Sequence, residues 1–285
     1  MPLSTRTFGI ELEVIMPWGE TRTTFAAKLR HYQPSLVIRP AAYGAPTSTT
    51  CWKIQPDSST GFGGCELVSP ILFGEHGIAE ARRMCDALKA AGAKVNVSTG
   101  FHVHFGATGL DLKALKNLAK MYVWFESFFD HVMPKSRRAT NNTYTKSNRA
   151  DFGGYGTYAV NSSIVMIDAA PDLHAFLKVA SPERRRKLNL TNLKAGGKGT
   201  IEFRQHSGTV DADKVENWVR LLDAFVTKAL TTRIRKRTVT RDLEPVEEMR
   251  QLFDMIEADK PVRIYYMNRR KEIAKLEAAG LPMVA

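Results

Sequence analysis

No run of about 18 apolar residues occurs in this 285-residue chain, so no membrane-spanning helix is expected. Cysteine is scarce, with only Cys51, Cys65 and Cys85. These form no CxxC pair and no even-numbered framework, which argues against a disulfide scaffold and fits reduced thiols in a cytoplasmic protein. There is no GxxxxGK[ST] loop and no HExxH, which excludes a P-loop nucleotidase and the helix-borne zinc peptidases. Met1-Pro2-Leu3-Ser4-Thr5-Arg6 lacks the apolar core of a secretory leader, so no signal peptide is expected. No internal repeat is visible. Acidic residues are outnumbered, 29 Asp and Glu against 41 Lys and Arg, giving a net charge of +12. Such a balance admits nucleotide phosphates, an acidic substrate or nucleic acid as partners. The basic residues are mostly dispersed, with denser places at Lys135 to Arg149 and at Arg233-Ile234-Arg235-Lys236-Arg237. Each is read either as solvated surface or as a face for anions. With 44% hydrophobic and 25% charged residues, the chain has the composition of an ordinary globular protein and can bury one large core or two modest ones.

What is present is a pattern of strict alternation, seen three times. In Phe8-Gly9-Ile10-Glu11-Leu12-Glu13-Val14 the apolar residues fall on one face and Glu11 and Glu13 on the other, the period-2 signature of a half-buried strand. The two carboxylates then point the same way with Cβ atoms roughly 7 Å apart. Taken alone they are either solvated or ligands of something positive. In Phe101-His102-Val103-His104-Phe105 the two imidazoles share the polar face, and either a core or a ligand role fits them. In Thr200-Ile201-Glu202-Phe203-Arg204-Gln205-His206 the polar face carries Glu202, Arg204 and His206.

Between these strands the chain reads as follows. Glu20 to Arg30 suits a short helix with Phe25 and Leu29 inward, and residues 31–50 read as loop. Trp52 to Gln55 and Cys65 to Ser69 flank the turn Gly61-Phe62-Gly63-Gly64 and predict a hairpin that brings Asp57 near Glu66. Glu75 to Ala91 is an amphipathic helix stopped by Gly92, and Lys94 to Ser98 reads as a strand. Asp111 to Val132 is a long helix whose apolar stripe is core. Lys135 to Gly156 is a polar, basic segment expected to be a flexible cover over a site. Tyr158 to Asn161 and Ile164 to Ile167 read as strand, 172–179 as a short helix and Lys187 to Leu190 as strand. Asp211 caps a helix over Ala212 to about Thr231. Helices from Pro245 and from about Val262 to Ala279 close the chain. The expected organisation is a domain over 1–232 and a helical C-terminal extension over 233–285 packed on it.

The polar faces together supply four or five carboxylates and several imidazoles, which suits Mg²⁺ or Mn²⁺ better than Zn²⁺. Arginine among them suits a phosphate or another developing negative charge. The order Gly9-Ile10-Glu11-Leu12-Glu13, then Asp57-Ser58 with Glu66-Leu67-Val68-Ser69-Pro70, then Gly100-Phe101-His102-Val103-His104, then Thr200-Ile201-Glu202-Phe203-Arg204 with Gly208-Thr209, resembles the amidoligase family. That family belongs to the carboxylate–amine ligases related to glutamine synthetase and glutamate–cysteine ligase. The resemblance covers about residues 7–230 and implies an α+β fold: a curved antiparallel sheet with helices packed on one face, a glutamine synthetase-like catalytic domain. It implies ATP with Mg²⁺ or Mn²⁺ as cofactors, and a carboxylate and an amine as substrates. By motif position, Glu11, Glu13, Glu66, His102, Glu202 and, less directly, Asp57 correspond to metal ligands. His104 lies nearer the nucleotide, and Arg204 holds the transferred phosphoryl group. Glu202 and Arg204 are the expected catalytic residues, and Lys146 and Arg149 of the basic segment are expected nucleotide contacts. His206 departs from the pattern of glutamine synthetase itself. Two other readings use the same features. One is a metal-dependent hydrolase acting through the carboxylate–histidine face. The other is a basic nucleic-acid-binding protein, which leaves the three alternating ligand faces unexplained.

Overall fold

The structure is a computed structural model that describes residues 3–152, 156–236 and 243–281. Arg237 of the second basic cluster, and the residues following it to 241, lie outside the described residues. The chain divides into two compact units, Pro2–Phe105 with His206–Arg220 and Gly106–Gln205 with Leu221–Met283. Both strands and helices build it, and the class is α+β.

In the first unit, Phe8, Ile10, Leu12 and Val14 make β1 (Phe8–Ile15), and all four are buried. α1 (Arg22–Tyr32) starts at Thr21, whose hydroxyl accepts from the Thr24 N–H while the Thr24 hydroxyl accepts from the Thr21 N–H. It buries Phe25, Ala26 and Leu29 and packs on β2 (Ile38–Pro40) and β3 (Trp52–Pro56). β4 (Gly64–Val68) completes the hairpin read from the glycine turn. At Gly64 an added Cβ would lie 1.7 Å from Thr60 Oγ1, so only glycine fits there. α2 (Gly74–Ala90) buries Ile78, Ala81, Met84, Cys85 and Leu88, the predicted stripe, and Gly92 follows it with φ +81°. β5 (Gly100–Gly106) carries the imidazoles. The strand order is β2-β3-β4-β1-β5, antiparallel throughout except for the parallel β2–β3 pair. Gly208 belongs to this unit. Its N–H donates to the Thr99 carbonyl at 2.8 Å, and an added Cβ would meet Thr99 Oγ1 at 2.1 Å. The glycine of the Gly208-Thr209 motif is therefore a close-approach residue.

The second unit is mainly helical. α3 (Leu112–His131) is capped by Asp111, and α4 (Thr157–Ala169) and α5 (Leu173–Ala180) follow. β6 (Leu188–Asn189) pairs antiparallel with β7 (Thr200–Ser207). α6 (Ala212–Thr231) begins in the first unit and ends in this one. α7 (Pro245–Met255) has Pro245 in its first turn, and α8 (Lys260–Ala278) is capped by Asp259. An aromatic core joins these helices: Phe128 meets Phe129, Phe253 and Tyr266 with ring centroids 5.2, 5.7 and 6.4 Å apart.

Four expectations are corrected. Residues 158–167 form helix α4, not strand. The buried positions Ala159, Val160, Ser163, Ile164 and Ile167 fall at helical spacing, so the 3.6-residue period prevails over the β-branched composition. Of Lys94 to Ser98 only Lys94 pairs, as an isolated antiparallel bridge to Ile15, because the Asn96 side chain accepts from the Ser98 and Thr99 N–H groups and turns the chain away from strand pairing. Ile38–Pro40, read as loop, pairs with β3 as a short strand. The basic segment 135–156, expected as a flexible cover, is exposed at Thr140, Asn141, Thr143 and Tyr144 but anchored at Arg137 and over 145–149. Arg137, Thr145, Ser147, Asn148 and Arg149 are buried. The reason is a kink in α3 at Phe125 (φ −107°, ψ 15°). Arg149 donates to the Val123 and Trp124 carbonyls beside that kink at 2.5 and 3.0 Å, and Asn148 donates to the Ala180 and Leu188 carbonyls.

A buried charge cluster lies below the same kink. Lys187 Nζ, 0% exposed, donates to Glu126 Oε1 at 3.0 Å and Asp130 Oδ1 at 2.6 Å, and Gln205 donates to the same Asp130 oxygen. Burial works against the lysine's charge, but the two carboxylates outweigh it and hold its pKa above the ordinary lysine value. Its stabilising contribution is therefore complete below that ordinary value and is lost only as pH rises through the higher folded-state value. Lys187→Met strands two buried carboxylates and is expected to lower unfolding free energy by about 3–5 kcal/mol in urea denaturation at neutral pH. Cys65 and Cys85 are buried, with thiols pushed up to about 12 mainly by burial. Cys51 is only half-buried. Native protein at pH 8 is expected to react with iodoacetamide at Cys51 alone, and denatured protein at all three positions, as read by intact mass.

Candidate metal centre

The register of the first unit's sheet brings the sequence-predicted ligands of β1, β4 and β5 into one place. Glu13 stands opposite Glu66, Glu11 opposite His102, and Gly9 opposite His104. Gln55 on β3 stands opposite Glu66 from the other side. Neither Glu11 nor Glu13 faces water; both are buried, as are Glu66, His102 and His104. His102 places Nδ1 3.2 Å from Glu11 Oε2 and Nε2 3.6 Å from Glu13 Oε1. His104 Nε2 lies 3.2 Å from the other Glu11 oxygen. Glu13 Oε2 accepts the Gly100 N–H at 2.6 Å, and Glu66 Oε2 accepts from Gln55 Nε2 at 2.5 Å. Asp57 caps the short turn before β4, accepting from the Ser59 N–H and hydroxyl.

Two sets of ligand atoms come within 4.8 Å of one another: Glu11, Glu66 and His102, and Glu13, Asp57 and Glu66. Glu66 belongs to both. Two carboxylates at that spacing repel by roughly 3 kcal/mol at an effective dielectric of about 20. The consequence is visible in the acids themselves. Burial pushes the Glu66 carboxyl well above the usual range, and the charges of Glu11, Glu13 and Asp57 push the same way against the Gln55 hydrogen bond. Glu11 moves in the opposite direction. Burial raises it, but the imidazoles of His104 and His102 prevail and hold it well below the usual range. An array of hard oxygens with imidazole, whose central acid is pushed toward its neutral form by burial and by its neighbouring carboxylates, fits a divalent ion such as Mg²⁺ or Mn²⁺. The alternative that the glutamates of β1 are merely solvated is removed by their burial.

The other predicted residues belong to the second unit. Glu202 Oε2 accepts from Asn189 and Asn192 at 2.6 and 3.2 Å, and its other oxygen receives Arg204 Nη1 in a very short contact. The Arg204 backbone N–H donates to the Lys187 carbonyl at 2.8 Å. Asn189 was overlooked as a partner of Glu202. Its signal is weak in sequence, since the contact depends on the β6–β7 register that sets Asn189 opposite Glu202. Gln55, overlooked at Glu66, had the alternation of β3 as its signal. Of the expected nucleotide contacts, Lys146 is paired with Glu183 at 2.8 Å, and the Arg149 guanidinium is turned onto α3. His206, whose part was open, packs edge-on against Phe101 and against the Trp218 ring, in the first unit, with centroids 5.3 and 5.2 Å away.

A polycarboxylate–imidazole cluster on an antiparallel sheet defines a candidate divalent-cation centre of an enzyme. Residues 4–226 match the family described as "Putative amidoligase enzyme", and the chain belongs to that family. No curated protein matches the chain in sequence. Among solved structures it is similar to a novel glutamine synthase homolog at 12% identity and a TM-score of 0.45, over 96% of this chain and 67% of that one. It is similar to GmaS in its ADP complex at 11% identity and TM-score 0.45, over 96% and 69%. It is also similar to the ligase PafA, in complex with the prokaryotic ubiquitin-like protein Pup, at 9% identity and TM-score 0.41, over 97% and 64%.

If Glu66 is the acid on which the ion's charge falls, removing its charge has opposite effects with and without the ion. In EDTA, Glu66→Gln is expected to match or exceed the wild-type melting temperature, because a repelling carboxylate is gone. With millimolar Mn²⁺ the wild type should gain several degrees and the variant little. Differential scanning fluorimetry with and without Mn²⁺ reads both, and an equal Mn²⁺-dependent gain in the variant would contradict the placement.

Proposed function

We propose that this chain is an ATP-dependent carboxylate–amine ligase that forms an amide through an acyl-phosphate intermediate. The observation that carries this reading, beside membership of the amidoligase family, is the buried cluster in which Glu66 is shared by two sets of ligands. A shared carboxylate is what two neighbouring cations require, and paired cations suit transfer of a phosphoryl group from a nucleotide to an oxygen.

The residues then take these parts. Glu11, Glu13, Glu66, His102 and Asp57 would hold Mg²⁺ or Mn²⁺, which when bound neutralise phosphate charge. Gln55 and the Gly100 N–H orient Glu66 and Glu13 by their hydrogen bonds, as outer partners of ligands commonly do. His104 lies beside Glu11, and by motif position it is the nucleotide-side group. By motif position, Glu202 is a further metal carboxylate and Arg204 the donor that stabilises the transferred phosphoryl group. The substrate carboxylate takes the γ-phosphoryl group of ATP and releases ADP. The amine then attacks the acyl carbon, phosphate leaves, and an amide remains. The protein's contribution is positioning and electrostatic stabilisation.

Incubation of the full chain with ATP, Mg²⁺ and a panel of acids and amines is expected to show ADP release only when both an acid and an amine are present. Glu13→Ala and Arg204→Ala are each expected to lower that rate by at least about 100-fold. Full activity in either variant would refute the part given to that residue, and metal-dependent cleavage with water alone would sink the ligase assignment and favour a hydrolase.

A further inference from the structure

Trp18 and Phe62 are 89% and 86% exposed, a costly state for two large aromatic rings, and they are exposed together. Their centroids are 5.7 Å apart with the planes inclined at 41°, so the rings form an open V. Trp18 comes from the turn after β1 and Phe62 from the glycine turn of the β3–β4 hairpin. The two turns are tied by a hydrogen bond from the Met16 N–H to the Gly63 carbonyl at 2.9 Å. The third wall is tied in as well, since Ile15 and Lys94 exchange backbone hydrogen bonds at 2.8 and 3.0 Å. Between these walls lies a cleft of about 660 Å³ lined by Ile15, Met16, Pro17, Trp18 and Phe62, with Glu20 and Lys94 as its charged groups.

We propose that this cleft is a subsite for an uncharged apolar group, aryl or branched alkyl, carried by one of the two substrates of the ligase reaction. Three features select that occupant. The volume lies within the roughly 300–1,000 Å³ of small-molecule pockets. The cleft's one carboxylate, Glu20, is paired with Lys28 at 3.5 Å and Lys94 is its one ammonium, so in a chain of net charge +12 the cleft gathers no cluster of positive charge for a phosphate-bearing ligand. The Trp18 and Phe62 rings pack on each other and leave their outer faces bare, and aromatic faces favour further tilted or stacked contacts with an apolar group. The cleft also stands within reach of the metal centre. Trp18 follows Glu13 by five residues and Phe62 follows Asp57 by five, and five residues of chain span at most about 17 Å. That span is short enough for one medium-sized substrate to set an apolar group in the cleft and a reacting end at the carboxylate cluster. The word substrate rests on the ligase reading; the binding itself does not.

The test is saturation-transfer NMR on the full chain with 3-phenylpropionate and phenethylamine, against propionate and ethylamine. At least one aryl probe should bind saturably, at least tenfold tighter than its short-chain counterpart, and the arm that binds tells whether acid or amine carries the group. Trp18→Ala and Phe62→Ala should each weaken that binding at least tenfold, while Tyr158→Ala, at an exposed ring of α4 outside the cleft, leaves it unchanged. Aryl probes that bind no better than the short ones, or that bind equally well to both aromatic variants, overturn the proposal. So does a dimer in light scattering that Trp18→Ala dissolves, since the V would then hold a second copy. Because probe binding needs no turnover, failure of the ADP-release assay with aryl binding intact refutes the ligase reading and leaves the apolar site standing.

Discussion

Repulsion among buried carboxylates is the constraint on which the first unit's sheet depends. Glu11, Glu13 and Glu66 sit in strands whose other faces are apolar, so folding forces them together and away from water. Two devices in the chain answer part of this cost. The imidazoles of β5 stand against Glu11 and hold it ionised, and Gln55 and the Gly100 N–H each satisfy one carboxylate oxygen. Glu66 is left as the acid whose charge is not answered, pushed toward its neutral form by burial and by its neighbours. A carboxyl held toward its neutral form among other carboxylates in fixed geometry is suited to bind a cation, because an added positive charge favours its ionised form.

The second unit handles charge in the opposite way. There Lys187 is enclosed with Glu126 and Asp130, every member has a partner, and the cluster holds α3, β6 and β7 together through Gln205 and the Lys187 carbonyl. Arg149 fills a similar structural part by supplying donors to carbonyls beside the α3 kink. Basic residues that in sequence suggested an anion-binding cover are thus used to seal a helix and fasten a segment. This lowers the share of the net positive charge that is free to meet an external anion.

The site was legible where local periodicity carries it. Alternation placed Glu11 with Glu13 and His102 with His104, and a glycine turn placed Asp57 and Glu66 on one hairpin. Legibility stopped where composition and period disagree, as over 158–167, where valine and isoleucine suggest strand but the apolar residues recur at helical spacing. It stopped also where a side chain competes for the backbone, as Asn96 does before β5. The partners Asn189 and Lys187 could not be read as partners, since each acts across a register or a packing contact that residues distant in sequence create.

The sequence by itself determined which residues can be ligands, which face of each strand they share, the course of the long amphipathic helices, and the family. Those properties depend on neighbours within a few residues and on motif order. Only the tertiary structure decided that Glu66 is the shared acid, that Glu11 and Glu66 shift in opposite directions, that Lys187 is buried with two carboxylates, and that Trp18 and Phe62 form one V. Each of these is set by distances between chain segments tens of residues apart, and electrostatic and dispersion energies vary with those distances far more than with residue type.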